Sequence, residues 1–199
     1  MAIELASRAL AAAGLSLFAY RVLLAYTAQH RFELVLLFLG ELLTVLFVLV
    51  ARLSTKIDRA PLIVAATVTA TFYFLVIRLE PGVALAPSGI TRGIQLCGIV
   101  LQITAKLWLG RSFGLLPANR GIVTTGPYRL VRHPIYLGYL LNHVGFLLGS
   151  FSAWNLWVYA TLYALQIGRI LAEERLLCAD ASYRAYVDQV KYRLFPGVF

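Results

Sequence analysis

The sequence predicts an all-α, polytopic membrane bundle of about six transmembrane helices, and three observations carry that prediction. Six apolar stretches approach the roughly 20 residues a helix needs to cross hydrocarbon. They are continuous and rich in Leu and Ala, without the period-two alternation of a barrel strand. The composition is 60% hydrophobic and 14% charged over 199 residues, with a mean hydropathy of +0.78, against about 45–50% apolar and about 25% charged in soluble domains. This excludes a disordered chain, a nucleic-acid-binding arm and an ordinary cytosolic enzyme. The net charge of +9 is therefore read as membrane topology rather than as a nucleic-acid footprint.

The predicted spans are 9–28, 34–51, 61–79, 90–109, 134–150 and 152–171. The first reads as a retained span. Arg21 interrupts its apolar run, and no small-residue cleavage site precedes Gln29-His30-Arg31. If spans one and two turn near residues 30–31, Arg21 and Glu41 lie at similar depth. Ionisable groups at that depth are informative. The structural reading is an ion pair that sets the hairpin register; the functional alternative is a substrate or proton site.

Cys97 and Cys178 are too few for a disulfide framework, no CxxC pair occurs, and no cluster has metal-ligand spacing. The fifth and sixth spans are separated by Ser150-Phe151-Ser152 and form a helical hairpin, the fifth short enough to cross only partly. The whole chain, 1–199, reads as one membrane domain, with N-terminal spans of unassigned role over 1–88 and a core over 89–199.

Orientation follows the positive-inside rule. With six spans, one face holds Arg8, the 52–60 loop, the 106–133 loop and the C-terminal tail, fourteen Lys and Arg in all; the other holds Arg31, Arg78 and Arg92. Both termini and the 106–133 loop are thus expected to be cytoplasmic. The compact size fits a bacterial or archaeal inner membrane.

The segment 110–143 is dense in Gly, Pro, Arg and His although spans flank it. Pro134 suits the first position of a helix and puts His133 at its mouth. The N–H groups of that first turn, with the helix dipole and Arg132, make an anion site. Gly138, Gly145 and Gly149 leave a helix face open to close approach by another helix or a ligand. Glu173 and Glu174 sit at the cytoplasmic end of the last span, where Glu173 can pair with Arg169 one turn earlier. An anion-binding helix mouth facing two carboxylates matches a zwitterionic, positively charged cofactor. His143, ten residues into the fifth span, reads as a satisfied structural histidine, with lining of the site as the alternative.

The runs LGRSFG and GPYRLVRHPIYLG, followed by EERLL and by Tyr183, Tyr186 and Pro196, resemble the integral-membrane methyltransferases over about residues 106–199. These include the isoprenylcysteine carboxyl methyltransferases, their bacterial relatives and the phospholipid N-methyltransferases. The resemblance implies S-adenosylmethionine as methyl donor, bound at the cytoplasmic face between the RHPxY segment and the tail, and a lipophilic acceptor entering from the bilayer. It carries cofactor binding to Tyr128, Arg132, His133, Pro134, Tyr136 and Gly138, to the paired Glu173 and Glu174, and to Tyr183 and Tyr186. Ile135 and Leu137 are expected to help wall the adenine. A protonated amine acceptor needs a base, for which Glu173 is the candidate catalytic residue with Glu174 and His133 as alternatives, and Arg169 and Arg193 are candidate catalytic arginines for an acceptor carboxylate.

Where the prenylcysteine enzymes carry Arg-Val-Pro after the second tail tyrosine, this chain reads Gln189-Val190-Lys191, a departure that bears on the acceptor and leaves the cofactor residues intact. The activity implied is methyl transfer to a lipophilic acceptor, most like isoprenylcysteine carboxyl O-methylation. Alternatives are lipid-amine N-methylation, an NADPH-dependent sterol-type reductase and a non-catalytic membrane protein. The reductases carry R-H-x-N-Y-x-G-D/E, and Ile135 and Tyr139 stand at the Asn and acid positions here. No nucleic-acid partner is expected, and the sequence leaves the oligomeric state open.

Overall fold

A computed structural model describes residues 2–50, 61–113 and 121–197, and among the described residues it contains helices and no strand. They are α1 (Ala2–Gln29), α2 (Phe32–Val50), α3 (Pro61–Phe72), α4 (Ser88–Leu109), α5 (Pro134–Gly149), α6 (Ala153–Leu177) and α7 (Ala181–Gln189), with short 3₁₀ turns at Tyr73–Leu75, Gly110–Ser112 and Gly126–Arg129. Each predicted span contains a helix. Two, Ala9–Gln29 and Phe32–Val50, are long and apolar enough to cross a membrane. The others are shorter or more polar: α3 has 12 residues and α5 has 16. α4 buries Thr91, Gln95, Gln102 and Lys106, and α6 buries Asn155, Gln166, Arg169 and Glu174. Of the residues behind the charge bias, Arg52, Lys56, Arg59 and Arg120 lie outside the described residues, as does Gly114 of the LGRSFG run.

The pairing expected between Arg21 and Glu41 does not form. The helix of the third span ends at Phe72 and tightens into the 3₁₀ turn. Such an end exposes backbone carbonyls that nothing inside the helix can satisfy, and hydrocarbon offers no water to do so. Arg21 reaches across from α1 and donates to the carbonyls of Phe74 (3.3 Å), Leu75 and Ile77 (2.7 Å). Glu41 turns instead to Tyr73, whose hydroxyl donates to its Oε1. The guanidinium thus caps the end of α3 and its 3₁₀ turn, and α2 is tied to α4 at its other end, where Arg92 meets Glu33 at 2.9 Å.

The closest helix contact is between α4 and α5, and the glycines explain it. A Cβ at Gly98 would sit 2.6 Å from the Asn142 nitrogen and the Gly138 oxygen. One at Gly145 would meet Gln95 Cγ at 2.6 Å and the Thr91 oxygen at 2.7 Å. The small-residue face read from α5 is therefore a helix-packing face, with Gly98 on α4 completing it.

The predicted hairpin forms through Ser150–Ser152, and Phe151 pairs with Val83 by two backbone bonds of 3.0 and 2.7 Å. Two apolar clusters result. One, around Phe18, Leu37, Phe74, Phe146 and Leu162, joins the two N-terminal helices to α6. The second, around Val48, Phe113, Tyr128, Ile135, Tyr183 and Tyr186, joins α2 and α5 to the tail.

Candidate active site

His133 is the residue preceding α5 and Pro134 is its first residue, so the RHP run opens a helix as its chemistry dictates. The tail is stitched to this turn. Arg132 and His133 donate their backbone N–H groups to the carbonyls of Tyr192 and Arg193, each at 2.9 Å, and the Arg132 guanidinium donates to the Lys191 carbonyl at 3.1 Å. Asp180 caps α7 by accepting from the Ser182 amide at 2.9 Å. α7 then presents Tyr183 and Tyr186, three residues apart, to the Gly126–Arg129 turn. The Tyr186 hydroxyl donates to the Tyr128 carbonyl at 2.6 Å.

The paired glutamates divide. Glu174 is buried and engages three side chains: the guanidinium of Arg132 at 3.2 Å, His133 Nε2 at 3.2 Å and the guanidinium of Arg193 at 2.8 Å. Burial pushes its carboxyl up, but the His133 hydrogen bond and the charges of Arg132 and Arg193 outweigh that and hold it below the usual carboxylate range. Tyr186 is pushed up to about 12, chiefly by burial, with Arg132 opposing. Glu174 is a clasp joining α6, the mouth of α5 and the tail. Glu173 is one residue, and so about 100° of helix rotation, away. It lines a cavity of about 130 Å³ and is hydrogen-bonded to Tyr136.

Of the residues singled out in the sequence, that cavity collects Tyr128, Arg132, His133, Ile135, Tyr136, Arg169, Glu173, Tyr183 and Tyr186. Arg169 also lies over the Tyr136 ring, 5.8 Å from its centroid, and donates to Gln166 at 3.3 Å.

Five others stand outside it. Glu174 and Arg193 are occupied with each other. Pro134 and Leu137 do not line it, because the α5 stripe facing the cavity runs through Ile135, Tyr136, Tyr139 and His143. Gly138 faces α4, where a Cβ would meet Gln102 Cγ at 2.6 Å. Leu137, Pro134, Gly138 and Glu174 are thus set off from the cavity wall, and Arg193 is held against Glu174.

The cavity also extends beyond the cofactor residues read from the motifs. Glu41, Thr44, Tyr73, Tyr139 and His143 line its far end. His143 is satisfied, as expected, with Nε2 2.6 Å from the Tyr73 hydroxyl and Nδ1 2.7 Å from that of Tyr163. It is also a wall of the cavity. Lys106, fully buried, donates to Thr44 at 3.1 Å and Gln102 at 3.3 Å and lies 4.9 Å from the Tyr139 ring centroid. Glu41 had a signal in the sequence as a charge inside a span. Tyr73 and Lys106 had none that separated them from packing or topology residues.

A family model described as phospholipid methyltransferase matches residues 93–180. The match covers α5 and α6 in full and most of α4, and agrees with the resemblance to integral-membrane methyltransferases read from the motifs. No curated protein matches the sequence.

Proposed function

We propose that the chain is an integral-membrane, S-adenosylmethionine-dependent methyltransferase acting on a lipophilic acceptor at the cytoplasmic membrane face. The match to a methyltransferase family supports an enzyme of this kind. The observation that carries the cofactor assignment is the chemistry of the cavity's tail end. Arg132 lines it, and its Nε is buried without a hydrogen-bond partner among the described residues. A buried guanidinium nitrogen left unpaired is costly, and a carboxylate satisfies it.

Glu173 supplies the opposite charge for an ammonium group. Tyr128, Tyr183, Tyr186 and Ile135 offer the aromatic and apolar walls that a purine takes. The donor set therefore fits a molecule carrying carboxylate, ammonium and adenine together.

S-adenosylmethionine supplies an electrophilic methyl group on a sulfonium. Arg132, His133 and the α5 mouth would hold its carboxylate, and Glu173 its ammonium. The docked tail would exclude water from them. Alignment of two reactants in such a site supplies up to roughly 7–11 kcal/mol in ideal cases.

The test is calorimetric titration of the detergent-solubilised protein with S-adenosylmethionine and, separately, with NADPH. We expect S-adenosylmethionine alone to bind, and Glu173→Gln to weaken it tenfold or more while the tail stays docked. Binding of NADPH instead would move the protein to the reductases.

A further inference from the structure

We propose that the membrane-buried end of the cavity is the acceptor's proton-accepting site, with Glu41 taking the proton of an O–H or N–H nucleophile as it is methylated. The inference rests on the methyl-transfer reading above and extends it from the cofactor to the acceptor.

The site is assembled by four helices. Along α5, His133, Tyr136, Tyr139 and His143 form a ladder of rings with successive centroids 5.6, 6.2 and 6.4 Å apart. Ten residues of helix rise about 15 Å, so the ladder leads from the tail well into the bundle. Glu41 and Tyr73 meet its far end from α2 and from the turn after α3. The sequence and the fold thus set a carboxylate on the wall of the cavity the cofactor residues line, deep among aromatic rings.

The hydrogen bonds there have one direction. Tyr73 donates its single hydroxyl proton to Glu41. It can then only accept from His143, whose Nε2 is 2.6 Å away, and a neutral imidazole with Nε2–H leaves Nδ1 to accept from Tyr163 at 2.7 Å. The chain therefore runs Tyr163 to His143 to Tyr73 to Glu41 and ends on the carboxylate, each bond polarising the next. The charged groups on the neighbouring walls are Lys106 of α4, which acts on Glu41 electrostatically, and Arg169 of α6. Among the described residues Tyr73 is the hydrogen-bond donor to Glu41, and the carboxylate takes no guanidinium or ammonium hydrogen bond. Next to the chain, the buried hydroxyl of Tyr159, whose ring stacks on His143 at 4.7 Å, has no hydrogen-bond partner among them.

The reaction balances on these groups. The nucleophile's X–H proton passes to Glu41, the X–C bond forms as the C–S bond of the sulfonium breaks, and a thioether leaves. One negative and one positive charge are annihilated, which a site of low polarity favours. Glu41 returns its proton through the cavity once the products have gone. A carboxylate acceptor has no proton to lose and would meet Glu41 as a like charge. Tyr73 and His143 are positioning residues for the carboxylate.

The test uses the full-length protein in detergent with labelled S-adenosylmethionine and a total membrane lipid extract. We expect a labelled lipid whose methyl group mild alkali does not release as methanol, whether or not acyl chains are lost. Retention on a cation exchanger in acid identifies N-methylation, and flow-through identifies an ether. An alkali-labile methyl ester, or no labelled lipid from protein that binds S-adenosylmethionine, overturns the inference. Failure to bind S-adenosylmethionine at all overturns the underlying reading instead.

Glu41→Gln should lower turnover at least 100-fold, the lower range for general base catalysis, with S-adenosylhomocysteine affinity kept within about threefold. Turnover within tenfold of wild type, or equal loss of binding and turnover, overturns it. A second readout needs no turnover. Infrared difference spectra of the cofactor-free protein should show a carboxyl band on acidification that Glu41→Gln removes and Tyr73→Phe displaces. Absence of that band in the wild type also overturns the assignment.

Discussion

Glu173 and Glu174 are neighbours in sequence and do different work, because adjacent helix positions point about 100° apart. Glu174 is 5% exposed and surrounded by Arg132, His133 and Arg193. Removing one partner of a buried ion cluster leaves the others uncompensated, at about 3–5 kcal/mol. Glu174→Gln should fall near the lower end, since the Arg193 side chain is 29% exposed; thermal unfolding in detergent measures it.

The carboxyl sits below its ordinary range in the folded protein. Its contribution is therefore complete above the unfolded-state value of 4.5 and is lost as the pH falls through the lower folded value. Limited proteolysis of the tail across that window should show it released in acid in the wild type. In Glu174→Gln it should already be released at neutral pH. The EE pair stood out in the sequence. Which carboxylate faced the cavity depended on the rotational setting of α6, which its neighbours decide.

At the scale of elements, helix existence was legible and helix function was not. The apolar runs located a helix in every predicted span, yet the third helix ends at Phe72, where Arg21 reaches the carbonyls beyond it from another helix. No local pattern encodes a partner some fifty residues away. The glycines of α5 read correctly as a close-approach face; Gly98, which completes it, lay in a span where it looked incidental.

Gly98→Ala should cost about 1–3 kcal/mol, the range for overpacking a well-filled contact. Gly93→Ala, on the same helix but with nothing within 4 Å of its Cβ position, should stabilise by up to about 1 kcal/mol through helix propensity alone. Equal effects at the two positions, by the same thermal assay, would exclude the packing explanation.

For the molecule as a whole, the charge asymmetry predicts that both termini share the cytoplasmic side. Protease or thiol-label access to tags at the two ends, compared in right-side-out and inside-out vesicles, should place them together; ends on opposite sides would mean an odd number of crossings. The sequence alone determined the helical class, the expected orientation and the polar segment holding the tail end of the cavity, because apolar runs, Lys/Arg position and an Arg-His-Pro helix start act through short-range or additive physics. Only the tertiary structure decided that Glu174 is a clasp while Glu173 lines the cavity. It likewise decided that Arg21 caps the turn that ends α3, and that Glu41, Tyr73 and His143 share one cavity with the tail tyrosines. Those outcomes depend on which face of each helix meets which neighbour, a long-range choice made by packing glycines against side chains and by satisfying buried polar groups.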